Sequence, residues 1–301
     1  MFAVPHPKSM ARGRERTAER EMAKAMERSR ATDTEPRVRR GYFECRYGQL
    51  HLHNAIPPGG GFDEATALLC VHPAPFSGRV FHKLFRLLGK DRSVYAPDLP
   101  GFGESDAPAT RPSIADYAGA LGDFCDTMRF RQIDVLGVHS GSCIATELAL
   151  SRPTLVRRVV CIGVPIVGEP ERESFRRAPW PAPPVEDGSY LLTEWKRTLQ
   201  HRGTGEPVES LARSLADKLR NGPQAWWGLA AAFEYPARER FSHLTQPTLI
   251  LRLKDEWWDA TLRAREFLPR ARMTELPEIG HGALEMAPAV IANALRDFLR
   301  A

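Results

Sequence analysis

Long apolar runs and closely paired cysteines are both missing from this 301-residue sequence. No stretch approaches the roughly 18 consecutive apolar residues that a membrane-spanning helix needs, and no hydrophobic signal region follows the first residues. The five cysteines are odd in number and show no close pairs, which argues against a disulfide framework. We therefore expect a cytoplasmic protein with no membrane partner.

Residues 41–301 also lack an excess of basic residues, although the formal net charge of the whole chain is +5. Residues 1–40 contain eleven Lys and Arg against six Asp and Glu, and residues 41–301 contain thirty-one of each sign. The positive excess therefore belongs to a tail whose composition predicts disorder or a loose helix. Because the rest of the sequence is neutral, we expect no nucleic-acid partner. The tail is interpreted as a solubilising extension, and a basic arm for an acidic partner is the alternative.

A serine is missing from the centre of the turn in the most informative segment of the chain, which has the pattern of a buried strand, a sharp turn and a helix. Gly137 and Gly141 have the spacing of the Gly-x-Ser-x-Gly turn, whose central residue presents a nucleophile. The central residue here is His139, and the nearest hydroxyls belong to Ser140 and Ser142. The chain therefore has the frame for a nucleophile, with an imidazole in its place.

The register of this turn follows from steric requirements. The turn needs very small residues two positions before and after its centre, because strand and helix backbones approach each other there. A turn centred on His139 has glycine at both positions, whereas one centred on Ser140 has Val138 and Ser142. Histidine is also among the residues enriched at positive φ. We predict a turn centred on His139; the alternative is an ordinary loop whose glycine spacing arose by chance.

Four further segments accompany the turn, and each joins an apolar strand or its end to polar or glycine-rich residues. In chain order they are ALLCVHPAP (67–75), SVYAPDLPGFGESD (93–106), TLILRLKDE (248–256) and MTELPEIGHG (273–282). With these motifs in this order, residues 41–301 resemble the α/β-hydrolase superfamily. The resemblance is closest to its capped branch of epoxide hydrolases, haloalkane dehalogenases and cofactor-free esterases.

The resemblance implies catalytic roles for four positions. His139 stands where the superfamily carries Ser, Asp or Cys, and His281 matches the general base. Glu256 stands at the acid position, with Asp255 as the other candidate, since Leu253 replaces the glycine common three residues before the acid. The order elbow, acid, histidine agrees with the superfamily.

The resemblance also implies an oxyanion hole next to His139. Its donors map onto the backbone N–H groups of Ser140 and Ala74. Pro73 replaces the usual glycine and has no N–H, but the donor falls on the following residue, so we expect the hole to be retained. Ser140 is a catalytic candidate through its N–H, and its hydroxyl is not expected to act as a nucleophile.

Alternating strands and helices predict an α/β fold with a mostly parallel, doubly wound sheet covered on both faces. The core is assigned to residues 41–166 and 247–301, and a helical cap to residues 167–246, where prolines and tryptophans cluster. Predicted strands are 41–47, 49–55, 67–71, 93–96, 157–165 and 248–253. Predicted helices are 77–88 and 113–128, and residues 293–298 are assigned to a closing helix.

Aromatic residues are the candidate walls of the substrate pocket. Trp257 and Trp258 directly follow the candidate acid at the carboxyl end of a strand, where such folds bind ligands. Trp180 in the cap and His72 at a strand end complete the candidate substrate-binding set. We expect a mainly apolar small-molecule substrate, no cofactor and no metal, and a monomer or homodimer.

Three functions remain open on sequence grounds. The first is hydrolysis of a small ester, lactone or related substrate, with His139 as nucleophile or as acid or base. The second is non-hydrolytic acid/base chemistry, as in a lyase or cyclase, because two neighbouring imidazoles should separate into one acid and one base. The third is ligand binding without catalysis on a hydrolase fold.

Overall fold

The computed structural model describes residues 35–58, 66–178 and 184–300, so nearly all of the predicted basic tail lies outside the described residues. The eight strands within these ranges are β1 (Val38–Cys45), β2 (Gly48–Ala55), β3 (Leu68–Val71), β4 (Val94–Pro97), β5 (Ile133–Val138), β6 (Val156–Ile162), β7 (Thr248–Leu253) and β8 (Arg272–Leu276). The α-helices are α1 (His82–Leu88), α2 (Ile114–Thr127), α3 (Ser140–Ser151), α4 (Glu169–Arg177), α5 (Ser189–Gln200), α6 (Val208–Arg220), α7 (Trp227–Glu234), α8 (Ala237–Ser242), α9 (Trp258–Arg263), α10 (Ala283–Met286) and α11 (Pro288–Arg300).

All eight strands form one sheet in the order β1-β2-β4-β3-β5-β6-β7-β8. The β1/β2 and β2/β4 pairs are antiparallel, and every later pair is parallel. The predicted α/β fold with a mostly parallel, doubly wound sheet is confirmed. Because β5, β7 and β8 are parallel, the loops that follow them open at the same edge of the sheet.

The core lies on both faces of the sheet. Strands β3, β4, β5 and β7 are buried along their whole length, as expected for parallel strands covered by helices on both sides. One cluster packs α2 and α3 on one face, and a second packs α1 and α11 on the other. The predicted helix at 113–128 is α2, which begins with a capping box between Ser113 and Asp116.

Several element boundaries differ from the sequence-based prediction. The first strand begins at Val38 because Val38 still pairs with Ala55, so the core includes residues assigned to the tail. The strand predicted at 157–165 ends at Ile162, because Gly163 has φ +62°. The helix predicted at 77–88 starts with a 3₁₀ turn at Gly78–Phe81 before α1 begins.

Within the described residues, five α-helices, α4 to α8, lie between β6 and β7, in the interval that the sequence assigns to a cap. We call residues 167–246 the helical insertion. Its helix α5 buries Glu194, which pairs with Lys218 of α6, while Leu191 and Leu192 are exposed. Among the described residues, no helix combines the length and apolar character needed to cross a membrane.

Candidate active site

His139 occupies a sharp turn between a buried strand and a helix. Strand β5 ends at Val138 and α3 begins at Ser140, so His139 alone forms the connection. Its backbone has φ 49° and ψ −115°, a combination that non-glycine residues seldom adopt. The backbone thus agrees with the register centred on His139 and not with one centred on Ser140.

The two glycines that flank His139 explain how the turn fits into the fold. A Cβ on Gly137 would overlap the carbonyl group of Gly141, and a Cβ on Gly141 would overlap the carbonyl oxygen of Val71 at the end of β3. Strand and helix therefore approach each other, and the neighbouring strand, at distances that only glycine allows. This packing fixes the backbone that carries the imidazole.

The imidazole of His139 is paired with Asp255. His139 Nε2–H donates to Asp255 Oδ2 at 3.0 Å, and Asp255 Oδ1 accepts the backbone N–H of Trp257 at 2.9 Å. Burial opposes the charged imidazole, but the hydrogen bond and the negative charges of Asp255 and Glu256 offset it, so the pKa of His139 is raised above 6.5. Among the described residues, Nδ1 of His139 has no hydrogen-bond partner, so this nitrogen is available to a ligand or water.

His281 is paired with the other candidate acid. Its Nε2 lies 3.3 Å from Glu256 Oε2, and both side chains are partly exposed. The sequence left Asp255 and Glu256 as alternatives for a single acid. In the structure each carboxylate contacts a different histidine, so two His–carboxylate pairs lie side by side where β5, β7 and β8 end.

The proposed oxyanion donors are arranged differently from the prediction. The N–H of Ala74 donates to the hydroxyl oxygen of Ser140 at 2.9 Å, so this donor is already occupied. The Ser140 side chain is buried and points to the loop after β3. The N–H of Ser140 begins α3, where the first N–H groups have no intrahelical acceptor. The Ala74 N–H is therefore not a free donor.

Aromatic rings from the core and the helical insertion lie beside His139. The Trp257 ring is 6.1 Å from the His139 ring and 5.9 Å from that of Phe233 on α7. Phe233 in turn stacks on Phe175 of α4 at 4.3 Å. The indole N–H of Trp257 is buried and has no partner within the described part of the chain. An apolar wall with one unused donor thus borders the imidazole.

The side chains of two predicted substrate-binding residues are engaged with other protein groups, and a third residue lies outside the described part of the chain. His72 is fully buried, its Nδ1–H donates to the carbonyl of Pro73 at 3.1 Å, and its Nε2 accepts the N–H of Leu99 at 2.8 Å. Both ring nitrogens are thus used by the backbone, and burial lowers the pKa of His72. The ring of Trp258 packs against the guanidinium of Arg252, whose Cζ lies 3.6 Å from the ring centroid. Trp180 lies outside the described residues.

Sequence reasoning missed residues that the fold brings to the site from distant positions. His201 follows α5, and its ring makes an edge contact with that of His281 at 5.0 Å. Phe233 lies in an alanine-rich helix without distinctive polarity. Gly163 directly follows β6 and lies against the imidazole of His139. A Cβ at this position would lie 2.5 Å from His139 Cδ2, so the ring occupies space that only glycine leaves open.

A second group of histidines lies around Asp98, beside strand β2, which carries His51 and His53. Asp98 accepts from His51 at 2.8 Å and from the backbone N–H groups of Gly78 and Glu104 at 2.7 and 3.1 Å. Burial alone would raise the pKa of Asp98, but the hydrogen bonds from His51 and His53 lower it well below its usual range. The carboxylate is thus fully engaged in holding the loops around β4, which is a structural role.

Similarity to known proteins extends over most of the chain. Residues 68–294 match the family described as "Alpha/beta hydrolase family". A 2-hydroxymuconate semialdehyde hydrolase of Pseudomonas sp. is 40% identical over 93 residues, 29% of this chain and 31% of the relative. An uncharacterized protein of Mycobacterium tuberculosis is 28% identical over 115 residues, 38% of this chain and 34% of the relative. Each match thus spans about a third of the relative's length.

Solved structures agree on the fold. An esterase from Thermogutta terrifontis superposes with a TM-score of 0.70 at 18% identity, covering 87% of this chain and 98% of the esterase. A bromoperoxidase from Bacillus anthracis superposes with a TM-score of 0.73 at 15% identity, covering 87% of this chain and all of the bromoperoxidase (100%). With the matched residues, the sheet order and the turn at His139, the chain belongs to the alpha/beta hydrolase family.

Proposed function

We propose that this protein hydrolyses a small, mainly apolar ester or lactone by direct attack of a water molecule, with His139 as the general base. The observation that carries the proposal is the His139–Asp255 pair at the turn where the family carries its nucleophile. Asp255 holds the ring through Nε2 and stabilises the imidazolium that forms when Nδ1 accepts a proton from water. No acyl-enzyme intermediate is needed.

General base catalysis is favoured over nucleophilic attack by the ring geometry. The nitrogen left free by Asp255 is Nδ1, which is flanked by the Cβ of His139 itself. A carbonyl carbon must come within bonding distance of a nucleophile, whereas a base can act through one intervening water. Nδ1 is therefore better placed for proton transfer than for bond formation.

The pocket wall supports an apolar substrate with a carbonyl group. Trp257 and Phe233 offer apolar surface next to His139, and the unpaired indole N–H of Trp257 is a donor for a carbonyl oxygen. The helical insertion would act as a cap that supplies Phe233. The names of two relatives, a semialdehyde hydrolase and an esterase, agree with hydrolysis at a carbonyl carbon.

Hydrolysis without an enzyme-bound intermediate is directly testable. We expect slow, saturable ring opening of an alkyl lactone, followed in a pH-stat. An alkyl lactone is used as the substrate because exposed imidazoles attack activated nitrophenyl esters nonspecifically. We also expect no labelling of Ser140 by a fluorophosphonate probe, because its hydroxyl contacts the Ala74 N–H. Stoichiometric labelling at Ser140, detected by mass spectrometry and lost in His281→Ala, would contradict the proposal.

The pH dependence of turnover should follow His139. The base must be neutral, so kcat/KM should be low at acid pH and rise as pH increases through the pKa of His139, which lies above 6.5. In Asp255→Asn the carboxylate that raises this pKa is lost, so the midpoint should move to lower pH and the plateau rate should fall. A profile whose midpoint is the same in both proteins would assign the titration to another group.

Acid/base chemistry without hydrolysis is the second candidate, favoured by the adjacent His139–Asp255 and His281–Glu256 pairs. One pair could remove a proton while the other returns it. The distinguishing measurement is exchange of the α-protons of a lactone or ketone with deuterated solvent. Exchange that is faster than ring opening and requires both histidines favours this candidate.

A further inference from the structure

Three metal-ligating side chains meet at the boundary between the helical insertion and the core. His201 follows α5, Glu256 follows β7 and His281 follows β8. One ligand atom from each lies within 4.8 Å of the other two. His281 Nε2 lies 3.3 Å from Glu256 Oε2, and the rings of His201 and His281 are in edge contact.

The identity of these donors selects a class of ion. Two imidazoles and one carboxylate form a donor set found in hydrolytic zinc sites, where a fourth position stays open for water or substrate. With bonds of about 2.0–2.1 Å, tetrahedral ligand atoms lie about 3.4 Å apart. Since all three atoms already lie within 4.8 Å of one another, movements of about 1.5 Å or less would bring them to coordination distance.

The loop that carries His201 is fitted closely against the loop that carries His281. A Cβ on Gly203 would overlap the carbonyl oxygen of His281, so the two backbones are in direct contact. Glu206, buried to 4% exposure, accepts the N–H of Gly203 at 3.1 Å and the hydroxyl of Ser210 at 2.8 Å. The carboxylate of Glu206 also lies against Gly282. These contacts fix His201 near its two partners and make Glu206 a positioning residue.

We propose that His201, Glu256 and His281 form a binding site for a divalent transition metal ion such as Zn²⁺, which links the helical insertion to the core. Two partly exposed imidazoles and a carboxylate allow the ion to enter from solvent. The nearby Asp255 adds negative charge and is itself held by His139, so it is not counted as a ligand. The site depends on these three side chains and not on the base role of His139.

Binding is measured with zinc itself. The full chain, without an affinity tag, is treated with EDTA, desalted and titrated with ZnCl₂ in a calorimeter. We expect one site per chain, weakened at least tenfold in His201→Ala and in Glu256→Gln. Because a ligand that binds the folded state stabilises it, Zn²⁺ should raise the Tm of the wild type and not that of His201→Ala. Co²⁺ should give the visible absorption typical of tetrahedral coordination.

His243→Ala is the matched control, since His243 is an exposed histidine of the helical insertion outside this cluster. It should bind zinc as the wild type does. His201 is exposed, so its replacement should leave the fold intact, which circular dichroism verifies. No binding at micromolar zinc, or equal binding by the wild type and His201→Ala, overturns the proposal.

Lactone turnover is measured separately from zinc binding. Zinc binding without turnover contradicts only the proposed function, and turnover without zinc binding contradicts only the metal site.

Discussion

Replacing His139 by alanine should lower kcat/KM for lactone hydrolysis by about 10²–10⁴-fold, the range typical of a general base. The substitution removes the ring that Asp255 orients and leaves Asp255 without its partner at 3.0 Å. Alanine also has to occupy a backbone with φ 49°, so some loss of stability is expected as well. His139→Asn, which tolerates positive φ better, keeps the backbone and removes only the base.

The control for this loss is again His243→Ala, which should retain wild-type rates. Urea unfolding of each variant separates a defect in folding from a defect in turnover. Asp255→Asn should lose less activity than His139→Asn, because the base remains while its orientation and charge stabilisation weaken. Wild-type turnover in a folded His139→Asn would remove His139 from the mechanism.

A serine at the turn should convert the site to a different chemistry. In His139→Ser the introduced hydroxyl stands where the family carries its nucleophile, and His281 with Glu256 supplies a paired base. We expect fluorophosphonate labelling of the introduced serine, weak turnover of a nitrophenyl ester, and loss of most lactone hydrolysis. EDTA is included so that no metal ion occupies the His281 ring nitrogen that has to accept the proton of the serine.

The double variant His139→Ser/His281→Ala serves as the control and should not be labelled. Retention of full lactone hydrolysis in His139→Ser would contradict the base role of His139. If the His139→Ser protein is folded but its introduced serine is not labelled, His281 does not reach the turn. The two His–carboxylate pairs then work separately.

The turn at His139 could be predicted because its cause is local. Only glycine fits where Gly137 and Gly141 meet neighbouring carbonyl groups, so spacing alone specified the central residue. The acid could not be assigned from the sequence, because Asp255 and Glu256 are adjacent. A shift of one residue in the alignment with the family motif replaces one by the other. The structure uses both, one for each histidine, an arrangement that a search for one triad does not consider.

His72 and Trp258 illustrate the limit of inference from strand ends. Both residues are near the carboxyl end of a strand, but side-chain direction decides whether a residue faces the site. The buried ring of His72 bonds the backbone of Pro73 and Leu99, and the half-buried ring of Trp258 packs on the guanidinium of Arg252. His201 was missed for the opposite reason, because its contact with His281 depends on how the helical insertion folds back onto the core.

Replacing Asp134 by alanine should lower the free energy of unfolding by about 3–5 kcal/mol, the cost of removing one partner from a buried ion pair. Asp134 is fully buried in β5, where it accepts from Arg92 at 3.0 Å and from two nitrogens of Arg157 at 2.8 and 2.6 Å. Arg92 is 2% exposed, so its charge would remain inside the protein without the carboxylate.

Asp126→Ala is the matched control, because Asp126 also accepts two hydrogen bonds from one arginine, Arg152, at 3.0 and 2.9 Å. That pair is 60% and 40% exposed, and exposed pairs contribute about 1 kcal/mol or less. Urea midpoints with unchanged m-values give the comparison. In Asp134→Leu/Arg92→Met both buried charges are removed, so much of the lost stability should return. If Asp134→Ala costs no more than Asp126→Ala, the buried pair does not stabilise the sheet, and the strand that positions His139 is held by apolar packing alone.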